Sequence, residues 1–192
     1  FCEESGSPDL PHYMNLCKNK IDTPDLVICL DSGTGDYKRL WTTTSLRGLI
    51  GLKLRVDVLK EGLHSGGASG YVPSSFRIAR QLLSRIEEQK TGEILLGELK
   101  VKIPDFRIKE TKKYVQVIGK KLKKEFPWIP NIHPSTDNDV EGVLRRTWRP
   151  ALSVVGGDGL PPSENAGNVL RPYTELQLSI RIPPFVNQKK AL

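Results

Sequence analysis

Two segments far apart in the chain constrain the fold most. Between Gly48 and Val58 the sequence alternates, placing Leu52, Leu54, Val56 and Val58 on one side. Glu175 to Ile182 repeats the pattern with Leu176, Leu178, Ile180 and Ile182. Successive side chains of a strand point to opposite faces, so each segment has one apolar and one solvated face. Such strands belong to a sheet covered on one side only. Two amphipathic stretches can supply the cover. Phe76, Ala79, Leu83 and Ile86 recur at spacings of three and four after Pro73-Ser74-Ser75, which suits a helix start. A second helix is predicted from about Lys109 to Phe126, with Val115, Ile118, Leu122 and Phe126 on one face and Pro127 and Pro130 as its stop. Ala151 to Val155 is a short strand ending at Gly156-Gly157. Residues 92 to 108, short apolar pieces broken by Gly97 and Pro104, read as a connector or an insertion, and Pro134 to Asp139 as a polar loop. Strand, helix, helix, strand, strand, each with one apolar face, predicts an α+β two-layer sandwich.

The first 45 residues have a different character. His12 to Cys17 fits a short helix. Asp25 to Leu30 is an apolar run without alternation, the pattern of a strand buried on both faces of a parallel sheet, with Cys29 as a buried thiol. It delivers Asp31 to a strand's carboxyl end, where α/β proteins collect ligand sites. Gly33 and Gly35 lack the remainder of a phosphate loop. Glu3 and Glu4 are adjacent, so in extended backbone one can ligate a metal while the other faces a water.

Directly after the first alternating strand comes Glu61-Gly62-Leu63-His64-Ser65-Gly66-Gly67-Ala68-Ser69-Gly70. A lone histidine in a loop of small residues is presented outward, either to a ligand or partner or simply to water as a turn residue. Leu63-His64-Ser65-Gly66 following an amphipathic strand resembles the lid-domain signature of M20 metallopeptidases, most closely their carnosinase-like branch. Phe1 to Ser7 is similar to that family's paired-glutamate turn, and Leu26 to Asp31 to its metal-ligand aspartate at a strand end. The three motifs occur in the family's order.

The resemblance carries expectations. It implies a ferredoxin-like sandwich, with an antiparallel sheet and two helices on one face, over residues 46–184 as the dimerisation lid. Residues 1–45 would be part of an α/β catalytic domain, and 185–192 the start of the return to it. Glu3 would be the general base, Glu4 and Asp31 ligands of a divalent metal (zinc or manganese). His64 would reach the partner's active site in a homodimer and donate to the oxyanion. Arg145-Arg146-Thr147-Trp148-Arg149-Pro150 is similar to the segment whose arginine clamps the substrate carboxylate. Anchored on the proline, that role falls on Arg146, with Arg149 the substitute. The implied substrate is a small peptide or N-acyl amino acid. The family pattern also needs a His-x-Asp motif, a bridging aspartate and a second ligand histidine. His12, His64 and His133 stand in no such context, so the chain, read as an internal fragment, is expected to bind no metal and to be inactive alone.

Composition bounds the alternatives. Cys2, Cys17 and Cys29 fit no zinc spacing and no paired framework, which points to a reducing, cytoplasmic setting. No apolar run approaches a membrane span. The net charge of +7, with Lys112, Lys113, Lys120, Lys121, Lys123 and Lys124 in the second helix, raises a polyanion-binding module. No nucleic-acid motif accompanies these lysines, and they read as a solvated face. A non-catalytic dimerisation module remains the other alternative.

Overall fold

The computed structural model describes residues 6–30, 33–119 and 121–191. Glu3, Glu4, Asp31, Cys2 and Lys120 lie outside the described residues. The chain divides into two compact units, Phe1–Trp41 and Thr42–Leu192.

The first unit holds α1 (Leu10–Leu16) and α2 (Lys18–Ile21). The strand expected at Asp25–Leu30 does not form. Leu26, Val27, Ile28 and Leu30 are between 70% and 93% exposed, and Cys29 is exposed rather than buried. The physical reason is the absence of a partner: no other strand occurs among the described residues of this unit, so the backbone of the run has no ladder to join.

The second unit runs β1 (Gly48–Asp57), β2 (Leu63–His64), α3 (Ser65–Ala68), α4 (Ser75–Ile86), α5 (Asp105–Ile118), α6 (Lys121–Lys124), α7 (Asp139–Thr147), β3 (Ala151–Asp158), β4 (Val169–Leu170), β5 (Tyr173–Ile182) and α8 (Gln188–Ala191). Its class is α+β, a small antiparallel sheet with flanking helices, consistent with the ferredoxin-like two-layer sandwich. The main sheet has the order β1-β5-β3, antiparallel throughout. β5 is central and shows the strict alternation that its sequence predicts. Thr174, Leu176, Leu178, Ile180 and Ile182 are all buried. Leu52 and Leu54 of β1 lie opposite Leu178 and Leu176. Only Val56 of β1 is buried, because an edge strand lacks a neighbour on its outer side. β3 continues past its predicted end through Gly156 and Gly157, with a bulge between Val154 and Gly156 that re-registers it on β5.

α4 covers β1 and β5. Ser74 caps it by accepting from the Arg77 N–H at 3.3 Å. Ser75 takes the inward place at its first turn, where its hydroxyl pairs with that of Thr174 at 2.8 Å. Phe76, expected on the apolar stripe, consequently turns outward, about a hundred degrees further round the helix. Ala79 sits fully buried against Val56, Leu176 and Leu178. A second cluster joins Ile94 and Leu99 to Ile180 and Ile182.

The second predicted helix is real but interrupted. α5 stops at Ile118, and Gly119 takes φ +41° while its N–H bonds the Val115 carbonyl at 2.7 Å. That backbone state suits glycine and ends helices. α5 packs on α7, which sequence reasoning did not anticipate, and Ile103, Leu144 and Trp148 form the core beside them. Among the described residues no helix is long and apolar enough to cross a membrane.

Candidate functional site

β2 is only two residues long, and it pairs with β4 so that Leu63 opposes Leu170 and His64 opposes Val169. The short ladder fixes the backbone on which the imidazole is mounted. Ser65 adds a hydrogen bond from its N–H to the Asn168 carbonyl at 2.9 Å. His64 then serves as the cap of α3, its Nδ1 accepting from the Gly66 N–H at 3.2 Å. A ring nitrogen that accepts carries no proton, so the neutral imidazole holds its hydrogen on Nε2. The side chain is exposed, which leaves that N–H available to an incoming acceptor.

The loop is thus more ordered than its glycine content suggests. Gly66 is needed for proximity: a Cβ there would stand 2.9 Å from the His64 Cε1 and 3.1 Å from Nδ1. Any larger residue would push the ring away from the amide that orients it.

Arg146 and Arg149 lie at the carboxyl end of α7 and just beyond it. Each guanidinium is already held two-fold by a carboxylate. Arg146 donates to both oxygens of Glu125 at 2.7 and 3.1 Å, and Arg149 to those of Glu141 at 2.6 and 2.9 Å. Glu141 also receives Arg145 at 3.4 Å. No hydrogen bond or ion pair joins these arginines to His64 among the described residues. Glu3, Glu4 and Asp31, the other three sequence candidates, fall outside them. Nor do the described residues contain a group of three or more His, Cys, Asp or Glu side chains able to hold a metal ion.

The arginines leave a pH signature. The hydrogen bond from Arg149 holds the Glu141 carboxyl below its ordinary value of 4.5, with Arg149 charge and Arg145 helping, and Arg146 does the same to Glu125. A carboxylate depressed in the folded state stabilises fully above its unfolded pKa and loses that contribution as pH falls through the lower folded value. Stability should therefore fall on acidification below about pH 4.5. Glu141→Gln should flatten that part of the profile: its melting temperature should lie below wild type at neutral pH and converge on it in acid. Parallel melting profiles for the two proteins would show that Glu141 does not contribute in this way.

One residue of this region carries no sequence signal. Arg47, just before β1, hangs its Nη1 on the main-chain carbonyls of Arg145 and Arg149, both at 3.2 Å. It thereby ties the end of α7 to the start of the sheet.

Comparison with known proteins agrees with this architecture. The model of the M20 peptidase dimerisation domain matches residues 44–192. The cysteinylglycine-S-conjugate dipeptidase of Corynebacterium striatum is 28% identical over 182 residues, which is 94% of this chain and 38% of that protein. Human carnosine dipeptidase 1 superposes with a TM-score of 0.59 at 19% identity, over 76% of this chain and 31% of the other. An M20 family metallo-carboxypeptidase from Sulfolobus solfataricus gives a TM-score of 0.68 at 19% identity, over 97% of this chain and 48% of the other. The two structures are likenesses of fold. The chain spans less than half the length of each of these relatives. With the dimerisation domain matched over residues 44–192, the chain belongs to the M20 peptidase dimerisation-domain family.

Proposed function

We propose that this chain is the association and lid segment of an M20-type hydrolase that cleaves an amide bond in a small carboxylate-bearing substrate, a peptide or N-acyl amino acid. The observation that carries the reading is the His64 geometry. An exposed imidazole, with Nδ1 occupied by Gly66, offers a single oriented donor at Nε2. Such a donor stabilises a carbonyl oxygen as it gains charge, and it need not reorganise at that moment.

In this reading His64 acts on the partner's active site within a homodimer. The sheet supports association because β1 and β3 are its edges, and β3 exposes Val154 and Val155 at 50% and 62%. An exposed strand edge is a template for another chain. Glu3 is the proton acceptor, and Glu4 and Asp31 are metal-ligand candidates. Two oxygen donors are fewer than a catalytic zinc uses, so the described residues together with these two do not make a metal site, and no step is assigned to a metal.

For the substrate carboxylate, Arg146 suits better than Arg149. Any substrate must displace an internal carboxylate, and Glu125 is 49% exposed against 27% for Glu141. The more solvated partner is released at lower cost.

Subunit mixing tests the proposal. In the full-length enzyme, His64→Ala and Glu3→Ala subunits should each be inactive. Mixed in equal amounts they should recover about a quarter of wild-type activity, since half the dimers then hold one complete site. Mixed dimers seen by light scattering without recovered turnover would refute donation in trans.

A further inference from the structure

A cleft of about 320 Å³ opens beside α6 and α7 in the second unit. That volume falls at the lower end of small-molecule sites. Its walls are mainly apolar, with Leu122, Phe126, Trp128, Val143 and Ala151 contributing. Arg47 also lines it, half-buried.

The charges of the cleft are unevenly balanced. Lys123 faces Asp139 at 3.7 Å, Arg145 faces Glu141 at 3.4 Å and Arg146 faces Glu125 at 2.7 Å. Arg47 has no carboxylate partner among the described residues. Among the described residues only its Nη1 is engaged, by the two carbonyls at the end of α7. Burial, followed by the charges of Arg181 and Arg146, holds its pKa below the ordinary arginine value. A guanidinium stays protonated regardless, so the cost appears as an uncompensated positive charge in a partly desolvated place. An anion would relieve it.

Two hydroxyls add directionality. Ser135 accepts from the Arg145 Nη1 at 3.4 Å, and Thr136 accepts from the Asn138 N–H at 3.2 Å. Both therefore keep their own O–H to donate. Asp139 also lines the cleft, and a dianion would meet more of its repulsion than a monoanion.

We propose that this cleft binds a small organic carboxylate with a flat apolar body, the anionic end on Arg47 and the body against Phe126 and Trp128. Arg146, proposed above for the substrate carboxylate, lines the same cleft but is held by Glu125, so the anion is placed on Arg47, and the test reads binding to the chain without turnover.

The test is a titration of the chain with 3-phenylpropionate, its neutral analogue 3-phenylpropanamide, and phenyl phosphate. The Trp128 indole N–H, which donates to the Lys123 carbonyl at 2.7 Å, is followed by nuclear magnetic resonance. The carboxylate should shift that signal, and the amide should bind about tenfold more weakly or worse, as expected for a charge-assisted contact. Arg47→Gln should abolish the preference for the carboxylate. Because Arg47 also ties down α7, the comparison of acid with amide on the wild-type chain decides the matter even if that variant does not fold. Equal binding of acid and amide, an unmoved Trp128 signal, or tighter binding of phenyl phosphate would each overturn the proposal.

Discussion

Replacing His64 by alanine in the full-length protein should, on the function proposed above, lower kcat by about 10²–10³, the usual loss when one oxyanion donor is removed. KM should change far less, because the contact strengthens only as charge develops on the carbonyl oxygen. The orientation of the ring makes a finer expectation. Gly66→Ala leaves the imidazole present but places a Cβ 2.9 Å from its Cε1, so the ring must turn. Activity should then fall between wild type and His64→Ala, at unchanged metal content by elemental analysis. A His64→Ala enzyme with full kcat would reduce the loop to a surface turn. A Gly66→Ala enzyme with full kcat would show that the Nδ1 contact does not position the donor.

The largest stability effect should come from Leu178→Ala. Leu178 is 2% exposed in the middle of β5, with Leu52 on one side, Val154 on the other, and Ala79 of α4 packed in the same cluster. Two strands and a helix meet there, so the space left behind has little freedom to collapse. The expected cost is about 2–5 kcal/mol, a large part of the roughly 5–15 kcal/mol that holds an ordinary domain together. Denaturant unfolding should show a lower midpoint with the same slope. A loss below about 0.5 kcal/mol, typical of a surface site, would mean that the second unit does not depend on this layer.

Sequence reasoning succeeded where a single period sufficed. β5 reads unambiguously because every second residue is apolar and every second residue is buried. β1 reads equally well, although its edge position weakens the burial that the pattern implies. The pattern failed at Asp25–Leu30, since a continuous apolar run announces a buried strand whether or not a sheet exists to receive it. α7 was legible in principle: Asn138 caps it through Val140 and Glu141, acids open it and Arg145 and Arg146 close it. Gly142 at its centre and the short apolar set hid it. The identity of His64 as an outward-facing residue could be read from its glycine-rich surroundings. Its hydrogen bond to Gly66 could not, because that depends on a two-residue ladder with a segment about a hundred residues downstream. Arg47 offered nothing to read, being a lone cation whose partners are backbone carbonyls rather than side chains.

The strand order β1-β5-β3 governs when this unit can come into being. The middle of the sheet is the last strand to leave the ribosome, while both of its neighbours are made earlier. Until Tyr173–Ile182 emerges, β1 and β3 have nothing to lie against, and α4 has only half of its floor. The pairing of Lys53 with Glu175 spans 122 residues, so the decisive contacts are among the most distant available to the chain. A nascent chain of this kind waits with two unpaired strands, exposed to every neighbouring copy engaged in the same wait. A sheet completed only when its third strand emerges is therefore one whose yield depends on chaperones and on the pace of translation between β3 and β5.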